Sequence, residues 1–368
     1  MEYISNSIVN AIPHSAFILT KEKNLKQFDA TKIIYPYAQA KACNELYRNM
    51  PWEIEIHLTN NCPLKCKGCS YGTRVNNDEI TIEMLDDFFE KLDFEKIKSI
   101  FFSGGGDPLF WNQWDYIASR KKDLLKEIPI GISTNIIGLK KIKDINIFDF
   151  LQIHIVGFDR ESCISEVGVD CFDIIMKNLD YLMKNKATAN IALKFLINDN
   201  NVENLHFYLD FIEKYNADSI IIKIEQNFIA NANENSRIFG KSKNITEIIL
   251  NHDICDQYEY AINNLDDVLW NSIVPRECYI CTSGLYYLVR PNGSIFPCIA
   301  STYNEQNAIG NILNYRHPNK IDMKKYTELM KLGQCPTKAC RHYRFNKIID
   351  LYEQNQVQVC DQVIPILI

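Results

Sequence analysis

The sequence predicts an α/β fold: a partial (β/α)6 barrel of parallel strands, followed by a small cysteine-rich α+β domain. Three observations predict this fold. Six β-rich segments alternate with helix-like segments between Trp52 and Glu225. Groups that can bind a ligand stand directly after several of these segments. Eight of the 13 cysteines of the 368-residue chain lie in two groups, one in the first quarter of the chain and one in the last.

Each strand of the predicted barrel is a short run rich in β-branched and aromatic residues. The six runs are WEIEIHL, KIKSIFFS, IPIGIST, FLQIHIVGF, ANIALKFLI and DSIIIKIEQ. Apolar residues at helical spacing predict helices over ITIEMLDDFFEKL, WDYIASRKKDLLKEI, FDIIMKNLDYLMKN and VENLHFYLDFIEKYN, with a short helix after Ile137. Repeating strand–helix units imply parallel strands with helices outside them, as an open sheet or a barrel. In both arrangements, ligands gather at the carboxyl ends of the strands.

The predicted domain organisation has four segments. They are an N-terminal extension over 1–50, the barrel over 51–230, a helical connector over 231–275 and the cysteine-rich domain over 276–368. In the last segment, LYYLVRPNGSIFPC carries Asn292-Gly293 between two β-rich runs. Asn-Gly in that position is a strong signal for a tight turn, so the segment predicts a β-hairpin.

Composition and charge argue against several classes of function. The formal net charge is -6 and the sequence pI is about 5.7. Because a surface that neutralises many phosphates is basic, we expect no nucleic-acid partner. No run approaches the roughly 18–20 consecutive apolar residues that span a bilayer, and the N-terminus lacks the pattern of a signal peptide. We therefore expect a cytoplasmic protein without a membrane partner. In a reducing compartment, clustered cysteines predict metal or iron–sulfur ligands.

The first cysteine group is CPLKCKGC, in which Cys62, Cys66 and Cys69 have the spacing C-x3-C-x2-C. It follows the first predicted strand directly. Three thiols so close in sequence converge when their loop wraps around a metal centre, and thiolates suit both zinc and iron–sulfur clusters. A structural zinc site closes with four ligands, whereas three ligands on an iron–sulfur cluster leave one iron open for chemistry.

This loop, placed after the first strand of a β/α unit, resembles the radical S-adenosylmethionine (radical SAM) superfamily. The resemblance implies a [4Fe–4S] cluster on Cys62, Cys66 and Cys69, whose fourth iron is chelated by S-adenosylmethionine (SAM). It also implies reductive cleavage of SAM to a 5′-deoxyadenosyl radical, with reduced flavodoxin or ferredoxin as electron donor. The superfamily usually has an aromatic residue before the last cysteine. Here that residue is Gly68, and Tyr71 is a candidate substitute.

A glycine run, SGGGDPLFW, follows the second predicted strand. Glycines let a backbone approach a ligand closely and expose N–H groups to it. The superfamily has a Gly-Gly-Glu-like segment at this place, which binds the amino group of SAM. The resemblance therefore assigns that role to Gly104, Gly105, Gly106 and Asp107.

Later strand ends supply further candidates for binding SAM or substrate. After the third strand, Ser133 and Asn135 are candidate contacts, although serine and asparagine also cap helices. Gly157 follows the fourth strand, and Leu193 on the fifth strand is a candidate for packing against adenine. Lys194 is either a partner for the carboxylate of SAM, by charge, or a solvated strand end.

The second cysteine group combines the predicted hairpin with a later loop. Four thiolates in this region predict zinc or an iron–sulfur cluster. The arrangement resembles the SPASM/twitch extension of radical SAM enzymes, which implies auxiliary [4Fe–4S] clusters. The six cysteines of the region cannot fill two four-cysteine sites, so we predict one auxiliary cluster. Its predicted ligands are Cys281, Cys298, Cys335 and Cys340, with Cys278 as the alternative to Cys281.

The resemblance implies abstraction of a hydrogen atom from a C–H bond, and two classes of substrate fit it. We predict a ribosomally synthesised peptide, which would be cross-linked, converted to a thioether or epimerised. The alternative is a small molecule, such as an amino sugar or a cyclitol, that is oxidised or rearranged. Epimerisation needs a thiol that returns a hydrogen atom, and Cys163 and Cys171 are candidate donors. A non-catalytic iron–sulfur or zinc regulatory module is the alternative of another class.

Overall fold

The computed structural model describes residues 16–20, 37, 41–42, 51–67, 69, 76–186, 189–198, 200–224, 245, 247–249, 251–256, 259–260, 279, 284, 286–302, 304–315, 349 and 353–354. Several residues named above lie outside this part of the chain: Gly68, Tyr71, Cys278, Cys281, Cys335 and Cys340. The described residues contain no helix long and apolar enough to cross a bilayer.

Within the described residues, eleven strands form one sheet. In chain order they are β1 (Ala16–Thr20), β2 (Glu53–His57), β3 (Ser99–Ser103), β4 (Ile130–Thr134), β5 (Phe150–His154), β6 (Asn190–Ile197), β7 (Ser219–Ile224), β8 (Glu259–Tyr260), β9 (Tyr286–Val289), β10 (Ser294–Phe296) and β11 (Gly310–Asn311). Their spatial order is β11-β10-β9-β2-β3-β4-β5-β6-β7-β1-β8. Strands β2 to β7 are the six predicted strands, and each pairs in parallel with the next. The predicted α/β class with a parallel six-stranded centre is therefore confirmed.

Five α-helices accompany these strands in the described part of the chain. They are α1 (Ile82–Phe89), α2 (Trp114–Asp123), α3 (Arg160–Val167), α4 (Phe172–Asn185) and α5 (Leu205–Glu213). Four coincide with predicted helices, but the sequence analysis does not predict α3. Its apolar periodicity is weak, and its ends are set by a capping box of Asp159 with Ser162 and by Gly168 in the left-handed conformation. The short helix expected after Ile137 takes the form of separate 3₁₀ turns, one of them at Leu139–Lys141.

The sheet has two different faces, because successive side chains of a strand point to opposite sides. One face packs against all five helices and is here called the helix-covered face. Full burial of each large aliphatic side chain there contributes about 1.5–3 kcal/mol to folding. This face holds an apolar core that includes Ile54, Ile56, Ile100, Phe102, Ile132, Ile153, Leu193, Ile222 and Tyr287. The opposite face, here called the inner face, carries the polar residues Glu55, His57, Ser103, Ser133, Gln152, His154, Lys194 and Lys223.

The predicted hairpin is confirmed as β9 and β10, which pair in antiparallel fashion around Asn292-Gly293. Gly293 has φ +83°, a conformation that favours glycine. Strand β9 also pairs in parallel with β2 over Glu53–Ile56. The hairpin therefore extends the barrel sheet on one side, and β1 extends it on the other by antiparallel pairing with β7.

Candidate cluster-binding site

The candidate site lies where the parallel strands end. Loops that leave the carboxyl ends of β2, β3 and β4 emerge at the same edge of the sheet. The structure brings together the cysteine loop (61–69), the glycine loop (104–107) and segment 133–135 through hydrogen bonds between them. The sequence prediction that these segments meet is borne out by those contacts.

The cysteine loop is fastened to the end of helix α3. The N–H of Lys65 donates to the carbonyl of Val167 at 3.1 Å, and the N–H of Lys67 donates to the carbonyl of Glu166, also at 3.1 Å. Carbonyls in the last turn of a helix have no partner within the helix, so these bonds satisfy them. Helix α3, which the sequence did not predict, therefore supports the loop that carries the cysteines.

The three thiols of the cysteine loop are all partly exposed. Cys62, Cys66 and Cys69 differ in this from Cys163 and Cys171, which are buried. Cys69 is also held by its N–H, which donates to the carbonyl of Cys66 at 3.2 Å. A structural cysteine is usually buried as a small apolar side chain, so partial exposure of all three thiols is typical of ligands.

The glycine loop packs directly on the backbone before the first cysteine. The N–H of Gly106 donates to the carbonyl of Thr59 at 2.7 Å, and the N–H of Asp107 donates to the carbonyl of Asn61 at 2.8 Å. A Cβ atom on Gly106 would lie 2.0 Å from the Asn61 carbonyl oxygen, so only glycine fits. Gly105 has φ +84°, which also favours glycine. At least part of the glycine requirement therefore comes from contact between these two loops.

Asp107 has a different role from the one expected. Its side chain is 4% exposed and accepts hydrogen bonds from the Thr134 hydroxyl at 2.9 Å, the Asn135 N–H at 2.7 Å and the Leu109 N–H at 3.0 Å. Burial raises the pKa of Asp107 to about 6, although these hydrogen bonds lower it. The expected contact with the amino group of SAM is corrected. An aspartate is shorter than the glutamate usual in the superfamily, and this carboxylate turns into the protein, where it positions the end of β4.

Asn135 connects the end of β4 to the cysteine loop. Its side-chain Nδ2 lies 3.7 Å from Cys62 Sγ, as a donor to sulfur. Its Oδ1 accepts from the N–H of Ile137 at 3.0 Å, which is the local turn-forming bond expected of asparagine. Asn135 therefore makes the local turn-forming bond and also contacts the cysteine loop, while its contact with SAM or substrate stays a prediction. Ser133, by contrast, lies on the inner face and donates to Gln152 Oε1 at 3.0 Å.

Of two further predicted contacts, that of Leu193 is wrong, and that of Gly157 stays a prediction. Leu193 is fully buried on the helix-covered face, because β6 turns Lys194 and not Leu193 to the inner face. It therefore packs in the core and not against adenine. Gly157 is needed because a Cβ atom there would lie 2.5 Å from the backbone N of Cys163. Its role in this structure is the close packing of helix α3 on the end of β5.

The inner face has a basic side, formed by Gln152, His154, Lys194 and Lys223. Lys194 Nζ donates to Gln152 Oε1 at 3.2 Å, so Lys194 lies within the sheet's polar network and is not a solvated strand end. His154 pairs with Lys194 in register across β5 and β6. Burial, followed by the positive charges of Lys194 and Lys223, lowers the pKa of His154 to about 3. His154 is therefore a neutral imidazole at physiological pH.

The inner face also has an acid side, formed by Glu55, His57, Ser103 and Tyr286. Glu55 is 4% exposed and accepts hydrogen bonds from the hydroxyls of Ser103 and Tyr286. His57 Nε2 lies 3.1 Å from Glu55 Oε1. Sequence reasoning missed this cluster, although the signal was present: WEIEIHL alternates polar and apolar residues, which places Glu55 and His57 on one face. The cluster joins β2 and β3 to the hairpin strand β9.

A small cavity lies between the cysteine loop and the basic side. Its volume is about 30 Å³, and it reaches both Cys66 and His154. Its other lining residues come from the ends of β5, β6 and the helices: Ile155, Val156, Glu166, Val167, Leu196, Asn201 and Tyr208. The inner face and the cysteine loop thus share one opening at the carboxyl edge of the sheet.

The candidate hydrogen donors lie in the core and not at this opening. Cys163 is fully buried and Cys171 is 7% exposed. Their sulfur atoms are 3.4 Å apart. The thiol–thiol hydrogen bond lowers the pKa of Cys163 to about 7 and raises the pKa of Cys171. Because neither thiol lines the cavity beside Cys66, the geometry does not support the expected return of hydrogen to a substrate.

Of the predicted auxiliary ligands, Cys298 is the one that the structure describes. It follows β10 at the end of the hairpin and is 2% exposed. Its Sγ lies 3.8 Å from the Ser301 hydroxyl oxygen. Its position at the hairpin end is the one the sequence predicted, and the auxiliary cluster itself remains a prediction.

The cysteine loop has the donor chemistry that an iron–sulfur cluster requires. Three thiols in one loop match the ligands that such clusters take, and an amide donor near Cys62 matches the hydrogen bonds that cluster sulfurs receive. Among the described residues, no group of three or more His, Cys, Asp or Glu side chains converges closely enough for one metal ion. A cluster does not require convergence on one ion, since each of its thiolates binds a different iron atom.

The comparison with protein families agrees with this geometry. Residues 56–209 match the model of the radical SAM superfamily. The match begins within β2 and ends within α5, so it contains the cysteine loop, the glycine loop and the strand ends described above. The chain therefore contains a radical SAM domain, and that family implies a [4Fe–4S] cluster and SAM.

Solved structures of similar fold come from the same superfamily. SuiB of Streptococcus suis bound to precursor peptide SuiA has a TM-score of 0.56 and 13% identity, over 85% of this chain and 74% of that chain. AnSMEcpe with bound AdoMet has a TM-score of 0.58 and 16% identity, over 81% of this chain and 88% of that chain. AnSMEcpe with bound AdoMet and Cp18Cys peptide has a TM-score of 0.57, 16% identity and the same coverage. At these identities the likeness shows the fold alone. No curated protein matches the sequence.

Proposed function

We propose that the chain is a radical SAM enzyme that modifies a ribosomally synthesised peptide by cross-linking, thioether formation or epimerisation. The observation that carries the proposal is the seating of the cysteine loop at the carboxyl edge of the sheet. Helix α3 holds the loop from one side through the Lys65 and Lys67 N–H groups, and the glycine loop holds it from the other through the Asp107 N–H, which donates to the Asn61 carbonyl. The loop is therefore held beside the cavity that Cys66 and His154 line.

Each residue of the site has a proposed task. Cys62, Cys66 and Cys69 hold the cluster, and bound SAM supplies a carbon radical after one-electron reduction by flavodoxin or ferredoxin. Asn135 donates toward the Cys62 sulfur, and hydrogen bonds to cluster sulfurs shift the reduction potential. Asp107 positions Asn135 through its backbone N–H. Because Asp107 is buried, it acts through Asn135 and not on a ligand.

The basic side of the inner face supplies the proposed contacts to charged ligand groups. Lys194 is the proposed partner for the carboxylate of SAM, and Ser133 fixes the Gln152 amide to which Lys194 donates. His154 stays neutral beside these charges, so it accepts or donates a hydrogen bond without adding a positive charge. Such fixed groups orient a reacting C–H bond at lower entropic cost than mobile ones.

Two solved structures of similar fold support the choice of a peptide. SuiB was solved with precursor peptide SuiA, and anSMEcpe was solved with Cp18Cys peptide. Both match more than four fifths of this chain, including the region after the radical SAM domain. The proposed auxiliary [4Fe–4S] cluster on Cys298, Cys281, Cys335 and Cys340, with Cys278 as the alternative to Cys281, belongs to that region.

The first experiment measures SAM cleavage under anaerobic conditions. The full chain is reconstituted with iron and sulfide, reduced and mixed with SAM, and 5′-deoxyadenosine is quantified by mass spectrometry. We expect about eight irons per chain, as two four-iron clusters require, and 5′-deoxyadenosine from the wild type. The Cys62→Ala variant should form none, whereas Cys255→Ala, which changes a partly exposed thiol outside the site, should match the wild type. Zinc instead of iron, or equal product from Cys62→Ala, would overturn the proposal.

A second experiment distinguishes peptide from small-molecule substrates. The chain is co-expressed with each short reading frame beside its gene, and the peptides are analysed by mass spectrometry in heavy water. Cross-linking or thioether formation removes two hydrogen atoms from the peptide, and epimerisation incorporates one deuterium. If the peptides stay unmodified and 5′-deoxyadenosine forms only when a small molecule is added, the peptide hypothesis is wrong and the substrate is a small molecule. Intact clusters without any SAM cleavage would indicate the non-catalytic module.

A further inference from the structure

Cys163 and Cys171 form a contact pair that the proposed function does not use. Cys163 lies in α3, and Cys171 is the residue before α4. Their sulfur atoms are 3.4 Å apart, which is close to van der Waals contact, and both side chains are buried. Two thiols that meet in this way need little movement to form a covalent bond.

The short connection between the two cysteines is held in place. Gly168 ends α3 in the left-handed conformation with φ +70°. Arg160, at the start of α3, forms ion pairs with both Asp170 and Asp173 on either side of Cys171. The helix end and the ion pairs therefore both constrain the segment that joins the two cysteines.

The pair is also connected to the cysteine loop through helix α3. Helix α3 begins three residues before Cys163 and ends at Val167, whose carbonyl accepts from the Lys65 N–H. A bond between Cys163 and Cys171 would thus tie the supporting helix of the loop to the residue before α4.

We propose that Cys163 and Cys171 are a site of reversible oxidation, at which a small peroxide closes an intrachain disulfide. In the first step the Cys163 sulfur attacks hydrogen peroxide; the O–O bond breaks, a sulfenic acid forms and water leaves. In the second step the Cys171 sulfur attacks the sulfenic sulfur; the S–S bond forms, the S–O bond breaks and a second water leaves. Two thiols thereby lose two electrons and two protons, and one peroxide is reduced to two waters.

Two observations support this order and this oxidant. The hydrogen bond between the thiols lowers the pKa of Cys163 and raises that of Cys171, so Cys163 is the better nucleophile and Cys171 the resolving thiol. The burial of both side chains excludes bulky oxidants, so the oxidant that we propose is a molecule little larger than water. A thiol of lowered pKa next to a resolving thiol is the usual arrangement at such sites.

The test is peptide mapping of the full chain, and it does not require catalytic activity. Trypsin releases residues 161–177 as one peptide that contains both cysteines. The protein is purified anaerobically, treated with a modest excess of hydrogen peroxide, alkylated with N-ethylmaleimide while unfolded, and digested. We expect this peptide to lose both maleimide labels and two hydrogen atoms, and a reductant to restore both labels. Cleavage at Glu166 should fail to separate the halves of the oxidised peptide.

Other outcomes would overturn the proposal. They are retention of both labels at peroxide levels that already oxidise Cys255, a disulfide between Cys171 and Cys66, or sulfinic acid on Cys163 while Cys171 stays labelled in the wild type. The Cys171→Ser variant removes the resolving thiol, so Cys163 should accumulate sulfenic and sulfinic acid. The control variant Cys255→Ala should keep the disulfide, since the Cys255 thiol donates to the Ile249 carbonyl elsewhere in the fold. The wild-type map decides the proposal even if a variant fails to fold.

Discussion

The acid side and the basic side of the inner face differ in the sign of their charged groups and in what surrounds those groups. On the acid side, one carboxylate, Glu55, is surrounded by neutral donors from two neighbouring strands, β3 and β9. On the basic side, the Lys194 ammonium and the Ser133 hydroxyl share one amide oxygen of Gln152, and a neutral histidine lies beside the lysine. The two sides belong to the same sheet and the same face.

This difference separates the part of the face that bonds only within the protein from the part that lies beside the cavity. The acid side lies where the hairpin strand β9 pairs with β2. Its carboxylate, Glu55, accepts hydrogen bonds from within the protein. We therefore assign it to stability. The basic side adjoins the cavity that reaches Cys66, and burial together with the charges of this side lowers the pKa of His154. We therefore assign it to ligand binding. The following predictions test this division.

The largest expected effect is the loss of the Glu55 carboxylate. Glu55→Ala leaves buried donors of Ser103 and Tyr286 without their acceptor, which should lower the free energy of unfolding by about 3 kcal/mol. Lys194→Met on the basic side should lower it by about 1 kcal/mol or less. Urea denaturation with matched slopes measures both values. Equal losses of unfolding free energy from the two variants would contradict the assignment of the acid side to stability.

The next effect is a pH dependence that comes from the basic side. The pKa of His154 falls from its ordinary value near 6.5 to about 3 on folding, so the unfolded chain binds a proton that the folded chain does not. The free energy of unfolding should therefore decrease as pH falls through 6.5 toward 3, by at most about 1.4 kcal/mol for each pH unit. The raised pKa of Asp107 acts in the opposite direction between about 4 and 6.

A variant isolates the contribution of His154 from that of Asp107. His154→Gln should lose less stability than the wild type when the pH is lowered from 7 to 5, because Asp107 is common to both proteins. Denaturation curves at the two pH values measure the difference. Identical pH dependence in the two proteins would show that His154 is not held neutral by the basic side.

The smallest effect concerns two neighbouring tyrosines on opposite faces of β9. Tyr286→Phe removes a hydroxyl that donates to Glu55, so it should cost about 1 kcal/mol. Tyr287→Phe should cost nothing or stabilise, since its buried hydroxyl has no hydrogen-bond partner among the described residues. Thermal unfolding of the two variants is the measurement. A larger loss of stability from Tyr287→Phe than from Tyr286→Phe would show that the important hydroxyl lies on the helix-covered face. It would contradict the claim that hydrogen bonds to Glu55 stabilise the contact between β2 and β9.

The sequence predicted much of the fold because its signals are local. The six parallel strands appear as β-rich runs, and the hairpin appears as Asn292-Gly293. Helix α3 was missed because it is defined by its caps at Asp159 and Gly168 and not by apolar periodicity. Leu193 was expected to pack against adenine, but the pleat of the strand turns Lys194 and not Leu193 to the inner face.

By itself, the sequence determined the class of the fold, the three-cysteine loop after the first parallel strand and the glycine loop after the second. These features depend on residue spacing along the chain, which a sequence records directly. Only the tertiary structure decided that Asp107 positions Asn135, that Glu55 meets Tyr286, and that Cys163 contacts Cys171. Glu55 and Tyr286 are 231 positions apart, and such contacts depend on strand register and helix packing, which fix the distances between atoms that the sequence leaves far apart.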